Sequence, residues 1–177
     1  MSYLLLSISG HDRAGIVRDV SEALLHLNAN IEDSSMTSLR GRFTMMLIVR
    51  MANGDTLGGL KAALAELEQR TGLTVQSQPI SEEEASSLPQ EPDCVVTVSG
   101  ADKMGIVHAV TEVLADVGVS IVDVSTRARK TDQGHVYMMA LEAFSNGHAD
   151  ALRKPLSAVA EKLGVDVEVH ELDEDVI

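Results

Sequence analysis

Aromatic residues are nearly missing from this 177-residue chain: they make up 2% of it, and tryptophan is absent. That scarcity argues against the stacked aromatic platforms that hold single-stranded nucleic acids. Basic residues are outnumbered, 14 Lys and Arg against 27 Asp and Glu, which leaves a formal net charge of −13. A field of that sign repels a polyanion, so no direct nucleic-acid partner is expected. The cluster Arg127, Arg129 and Lys130 reads as a solvated hairpin end. Cys94 is the single cysteine, which rules out an intramolecular disulfide and a thiolate metal cluster. No apolar run approaches the roughly 20 residues of a membrane-spanning helix. The first residues enter a strand-like run with no basic stretch or cleavage site, so a cytoplasmic protein without a membrane partner is expected.

What remains is aliphatic. Hydrophobic residues reach 45%, with eight Met among them, enough for a packed core of Leu, Val, Ile and Ala. The sequence also repeats itself. Ser9-Gly10-His11-Asp12-Arg13-Ala14-Gly15-Ile16-Val17 returns as Ser99-Gly100-Ala101-Asp102-Lys103-Met104-Gly105-Ile106-Val107, an offset of 90. The register continues through Val20 and Val110, Leu24 and Leu114, Ile31 and Ile121, and Asp33 and Asp123. Gly41-Arg42-Phe43-Thr44-Met45-Met46 then matches Gly134-His135-Val136-Tyr137-Met138-Met139 at an offset of 93. A three-residue insertion in the intervening loop of the second copy is therefore expected. Such sustained register is the mark of a duplication.

Each copy parses in one order. Tyr3–Ser9 is a short apolar strand, and Ile16, Val20, Ala23, Leu24 and Leu27 form a helical stripe. Two strands flank the turn Leu39-Arg40-Gly41. Leu60, Leu64 and Leu67 mark a second helix closed by Gly72, before a last strand. The resulting β-α-β-β-α-β order predicts an α+β chain of two ferredoxin-like modules, each an antiparallel sheet with two helices on one face. The expected layout is a first module over 1–80, an acidic linker over 81–92, a second module over 93–172 and an acidic tail over 173–177. The last helix is read over Ala149–Leu163, where Pro155 is the awkward residue: it fits if it falls in the first turn, where it costs no hydrogen bond, and a start nearer Arg153 is the alternative.

Both copies place Gly-x-Asp-(Arg/Lys)-x-Gly-Ile-Val between the first strand and the first helix. Asp12 and Asp102 are expected to cap those helices, with Gly15 and Gly105 inside the first turn. A glycine there costs roughly 1 kcal/mol against alanine. Two explanations stand side by side: close approach to a neighbouring strand, or access of a ligand carboxylate to bare helix amides.

The Asp-Arg-x-Gly-Ile-Val loop, the helix after it and Asn28-Ala29-Asn30-Ile31 opening the next strand resemble the ACT domain family. Asp102-Lys103-Met104-Gly105-Ile106-Val107 and Gly118-Val119-Ser120-Ile121 repeat the pattern. That family is a ferredoxin-like regulatory module that binds amino acids where two modules meet. A tandem pair of this length is similar to the glycine cleavage system transcriptional repressor family. The resemblance implies a small amino acid, glycine or serine, as ligand. It also implies action on a protein partner, a transcription activator, by contact rather than on DNA; homodimerisation stays open. For the first copy it implies ligand contacts at His11, Asp12, Gly15, Ile16, Asn30 and Ile31. Asp12 would accept from the ammonium, and the Gly15 and Ile16 amides would hold the carboxylate. In the second copy the matching positions are Asp102, Gly105, Ile106 and Ser120. Ala101 replaces His11 there and Ser120 replaces Asn30, so the first site follows the family pattern more closely.

Other chemistries find no support. The six His are scattered without metal-ligand spacing, and neither a dinucleotide fingerprint, a phosphate-binding loop nor a nucleophile elbow occurs. No cofactor, metal or catalytic residue is expected, and the chain reads as a regulator rather than an enzyme. The alternative is an amino-acid-responsive regulatory subunit of a metabolic enzyme.

Overall fold

A computed structural model describes residues 2–52, 57–131 and 134–172; the expected tail over 173–177 lies outside them. The chain divides into two compact units, Met1–Leu88 and Pro89–Ile177. The first contains β1 (Ser2–His11), α1 (Ile16–His26), β2 (Ala29–Leu39), β3 (Arg42–Met51), α2 (Leu57–Thr71) and β4 (Thr74–Ile80), then a short helix α3 (Glu82–Ser86). The second contains β5 (Cys94–Ala101), α4 (Ile106–Val117), β6 (Ser120–Thr131), β7 (Gly134–Phe144), α5 (Asp150–Leu163) and β8 (Val165–Glu171). Their sheets run β2-β3-β1-β4 and β6-β7-β5-β8, antiparallel throughout. This is the ferredoxin-like βαββαβ fold, twice.

Alternation drives each sheet. In β1, Leu4, Leu6 and Ile8 are buried and pair with Val49, Leu47 and Met45 of β3. Ile16, Val20 and Leu24 of α1 and Leu60, Leu64 and Leu67 of α2 close that face into one cluster. The second unit repeats it with Cys94, Val96 and Val98 under Val110, Leu114 and Leu152. Cys94 packs as a small apolar residue, and its burial pushes the thiol up. Among the described residues, no helix is long and apolar enough to cross a membrane.

The β2–β3 turn uses Arg40 (φ 49°) and Gly41 (φ 77°), two positive-φ residues as the twist of a tight hairpin requires. Both outer strands carry a bulge at the same place, between Ile31 and Asp33 and between Ile121 and Asp123.

The hairpin corrects the expected insertion. Gly10 pairs with Phe43 and Gly100 with Tyr137, so the third strands differ by 94 positions rather than 93. The second hairpin is longer by four residues, two on each arm. An odd insertion would turn every following side chain to the other face of the sheet. Met139 (2% exposed) is thus the counterpart of Met45 (5% exposed), while Met138 (55% exposed) faces outward.

One further expectation changes. Pro155 falls well inside α5, which begins at Asp150. Its missing donor affects the exposed Ala151 side of the helix, where water can take the freed carbonyl. Within the segment read as linker, Ser81 and Glu84 form a reciprocal capping box that starts α3.

The register carries a stability prediction. Met139→Ala is expected to cost about 2–5 kcal/mol by urea unfolding, as for a buried Met, and Met138→Ala about 0.5 kcal/mol or less. The reverse order would mean that the strand faces the other way.

Candidate functional site

The loop between β1 and α1 is stitched to the hairpin beside it. The Asp12 amide donates to the Gly41 carbonyl at 2.9 Å, and the Ser38 hydroxyl donates to the Asp12 carboxylate. Asp12 therefore does not cap α1, contrary to expectation: its carboxylate is drawn sideways to β2. The position before the helix is Gly15 itself, at φ 84° and ψ 3°, with no side-chain cap. The first helical bond runs from the Asp19 amide to the Gly15 carbonyl at 3.0 Å.

The second copy is built alike. Gly105 stands at φ 89° and ψ −1°, again uncapped, and the Ala109 amide donates to its carbonyl at 3.0 Å. The Asp102 amide reaches the His135 carbonyl at 3.3 Å. Burial, together with the nearby Asp102 carboxylate, pushes the Tyr137 hydroxyl up.

Why glycine stands there is now physical. A Cβ on Gly105 would meet nothing within 4 Å, and on Gly15 only the tips of Arg18 and Arg13. Close packing against a strand is not the cause. The left-handed backbone is, because it costs an L-residue roughly 1–2 kcal/mol. One consequence is open space beside the glycine. Another is that the amides of Ile16, Val17 and Arg18 precede the first helical bond, as do those of Ile106, Val107 and His108. Such a helix start attracts a carboxylate. The Ile16 and Ile106 side chains are 3% and 2% exposed, so they anchor the helix and offer only their backbone.

Asp19 was not foreseen. Arg13 donates to one of its oxygens at 2.6 Å and Arg18 to the other at 2.9 Å. Hydrogen bonds first from Arg13, then from Arg18, hold its carboxyl below the ordinary 3.8. The signal was available in the sequence: Asp19 lies on the apolar stripe of α1 between Ile16 and Ala23, where an acid needs partners.

The expected residues separate into two groups. His11, Asp12, Gly15 and Ile16 share the loop end of the first unit. Asn30 and Ile31 do not join them. His11 pairs with Arg42, but Asn30 pairs with Arg50, which lies opposite Tyr3 at the start of β1. Eight residues of β3 separate those levels, about 27 Å of strand. At that far end the Asn30 amide and the Arg50 guanidinium both donate to Glu32, at 2.8 and 2.6 Å. These bonds, Asn30's first, hold the Glu32 carboxyl below its ordinary range. Ile31 is 38% exposed on the outermost strand. The second unit divides the same way: Asp102, Gly105 and Ile106 lie at one end, and Ser120, paired with Phe144, at the other.

A shallow hollow of about 120 Å³ lies elsewhere, lined by Leu5, Asp33, Met46 and Ile48 among others. Among the described residues, no group of three or more His, Cys, Asp or Glu could hold a metal ion.

Comparison with known proteins agrees with this fold. Residues 2–78 and 93–170 match the family model of the ACT domain. A UPF0237 protein of Methanopyrus kandleri is 37% identical over 76 residues, covering 42% of this chain and 84% of that protein. One from Lactococcus lactis is 39% identical over 74 residues, with the same coverage of 42% and 84%. A crystal structure of a protein of unknown function from Galdieria sulphuraria is 31% identical, with a TM-score of 0.76 over 97% of this chain and 99% of that one. The structure of a proposed glycine cleavage system transcriptional repressor aligns with a TM-score of 0.72 over 98% of both chains. At 19% identity that likeness is one of fold alone.

Asp19 makes acid resistance testable. Its folded-state value lies below the ordinary one, so it stabilises the unit above about pH 4 and loses that effect as pH falls through the folded value. The difference in denaturant midpoint between wild type and Asp19→Asn is expected to be full near neutral pH and to close in acid. A difference that widens in acid would refute the assignment.

Proposed function

The chain belongs to the ACT domain family, and on that premise we propose that it is an amino-acid-responsive regulator. One observation carries the reading. In each module a left-handed glycine opens a helix onto uncapped amides, three residues after an exposed aspartate. Amides suit a carboxylate and an aspartate suits an ammonium, and a free α-amino acid presents both groups.

The roles follow from the chemistry. The Gly15 and Ile16 backbone takes the ligand carboxylate. Asp12 takes the ammonium by releasing the Ser38 hydroxyl, and His11 flanks it. Asn30 and Ile31 lie about 27 Å away along the same sheet, so they serve a ligand molecule other than the one at Asp12. Asp102, Gly105, Ile106 and Ser120 form the corresponding set in the second module. The ACT modules span 1–80 and 93–172, joined by residues 81–92 and followed by the acidic tail.

Glycine or serine is the ligand class we propose, since no charged side chain is needed beyond those that hold the α-groups. The output is contact with a protein partner, a transcription activator in the repressor-like reading, and not catalysis. A net charge of −13 supports contact with protein rather than with DNA. The fold likeness to the proposed repressor supports the same branch.

A thermal-shift panel of the twenty amino acids tests the site. At about ten times its Kd, a ligand contributes about 1.4 kcal/mol, a rise on the order of 5–10 °C for a module of this size. Glycine or serine is expected to produce that rise, and Asp12→Ala to remove it. A flat panel would reject amino-acid sensing, and a response that survives in Asp12→Ala would reject this site.

A further inference from the structure

The two first-helix loops share a motif but are held by different anchors. In the first module Arg13 folds back along its own loop, where one guanidinium nitrogen donates to the Ala14 carbonyl at 3.3 Å. Its other terminal nitrogen reaches Asp19 in the first turn of α1 at 2.6 Å, and Arg18 takes the second oxygen. Asp19 is 9% exposed, and a carboxylate held so deeply is tolerated because two cations surround it.

The second module has no such acid. Ala109 stands where Asp19 stands and Lys103 where Arg13 does. The Lys103 ammonium donates instead to the carbonyl of Leu163, the last residue of α5. Gly164 follows at φ 62°, and a Cβ there would lie 3.2 Å from that ammonium. The glycine thus ends the helix and leaves room for the cation, which meets unsatisfied carbonyls at the negative end of the helix dipole. Strand β8 begins at the next residue, and Arg153 of α5 donates to the β8 carbonyl of Val169 at 2.8 Å.

Building on the amino-acid reading, we propose that Asp19 is the positioning residue of the first ligand loop, whereas Lys103 couples the second ligand loop to the α5–β8 corner. A ligand on the first loop then acts on α1 through Asp19, and on β2 through the Ser38 hydroxyl that Asp12 releases. A ligand on the second loop, by favouring one placement of Lys103, acts on the end of α5 and the start of β8. The duplicated modules have one motif and two outputs.

Amide hydrogen exchange on the full, unliganded chain tests this without a ligand. Asp19→Asn is expected to speed exchange about tenfold at the hydrogen-bonded amides of Asp12 and residue 19 and leave those of Asp102 and Ala109 unchanged, and Asp19→Glu to restore much of the protection. Lys103→Met is expected to speed exchange at the bonded amides of Asp102 and Ala109 and over 161–165 together, leaving those of Asp12 and Asp19 unchanged. A uniform rise through the first module in Asp19→Asn would reduce Asp19 to a stability role and overturn the first half. Unchanged exchange over 161–165 in Lys103→Met would overturn the second. Titration with glycine and with serine is the separate arm, where Asp19→Asn should weaken first-module binding about tenfold. If the wild-type chain binds neither, the amino-acid reading fails while the exchange data still decide how the loops are held.

Discussion

Gly15 and Gly105 hold backbone angles, φ 84° and 89°, that an L-residue adopts only under strain. The rest of each site depends on that. The left-handed turn lets the chain leave the central strand and enter a helix over the sheet within four loop residues, 12–15 or 102–105. It does so without a capping side chain, so the first amides stay bare, and without a Cβ, so the space beside them stays open. An aspartate cap would satisfy the same amides and remove the site. In the first module the aspartate three residues before the glycine is held instead by Ser38 of β2.

The sheet adds a second constraint. Parallel placement of β1 and β2, with β3 antiparallel between them, puts the end of β1 and the start of β2 at opposite ends of one module. Asp12 and Asn30 therefore stand about 27 Å apart along the sheet, too far to touch one small ligand. Each is already engaged: Ser38 holds Asp12, and Glu32 holds Asn30. In the proposed reading a ligand at Asp12 competes with the Ser38 hydroxyl, which favours one that brings a cation as well as an anion.

Much of the fold was legible in the sequence because inward residues recur with period two in β1 and β3 and along one stripe in α1. The duplication supplied a second reading of every element. The hairpin register was not legible, since Met45-Met46 and Met138-Met139 look alike as text while only pairing shows which Met faces in. The helix start was misread because Asp is a good cap in isolation, and only the tertiary partner Ser38 takes it away. Pro155 was misplaced because cost at a proline depends on whether the freed carbonyl meets water. At the site, the loop residues were legible as a motif. Asp19 was visible only as an acid on an apolar stripe, and the separation of Asn30 from Asp12 became apparent only with the strand order.

The central claim is that bare amides at the start of the first helices receive the carboxylate of an amino acid. Titration of the nitrogen-15-labelled chain with glycine and with serine tests it most directly, by following individual amide resonances. The account predicts that one of them shifts the amides of Gly15, Ile16 and Val17 first and furthest, in a saturable way. Saturable shifts confined to the open sheet face around Leu5 and Ile48, with Gly15 to Val17 unmoved, would contradict it.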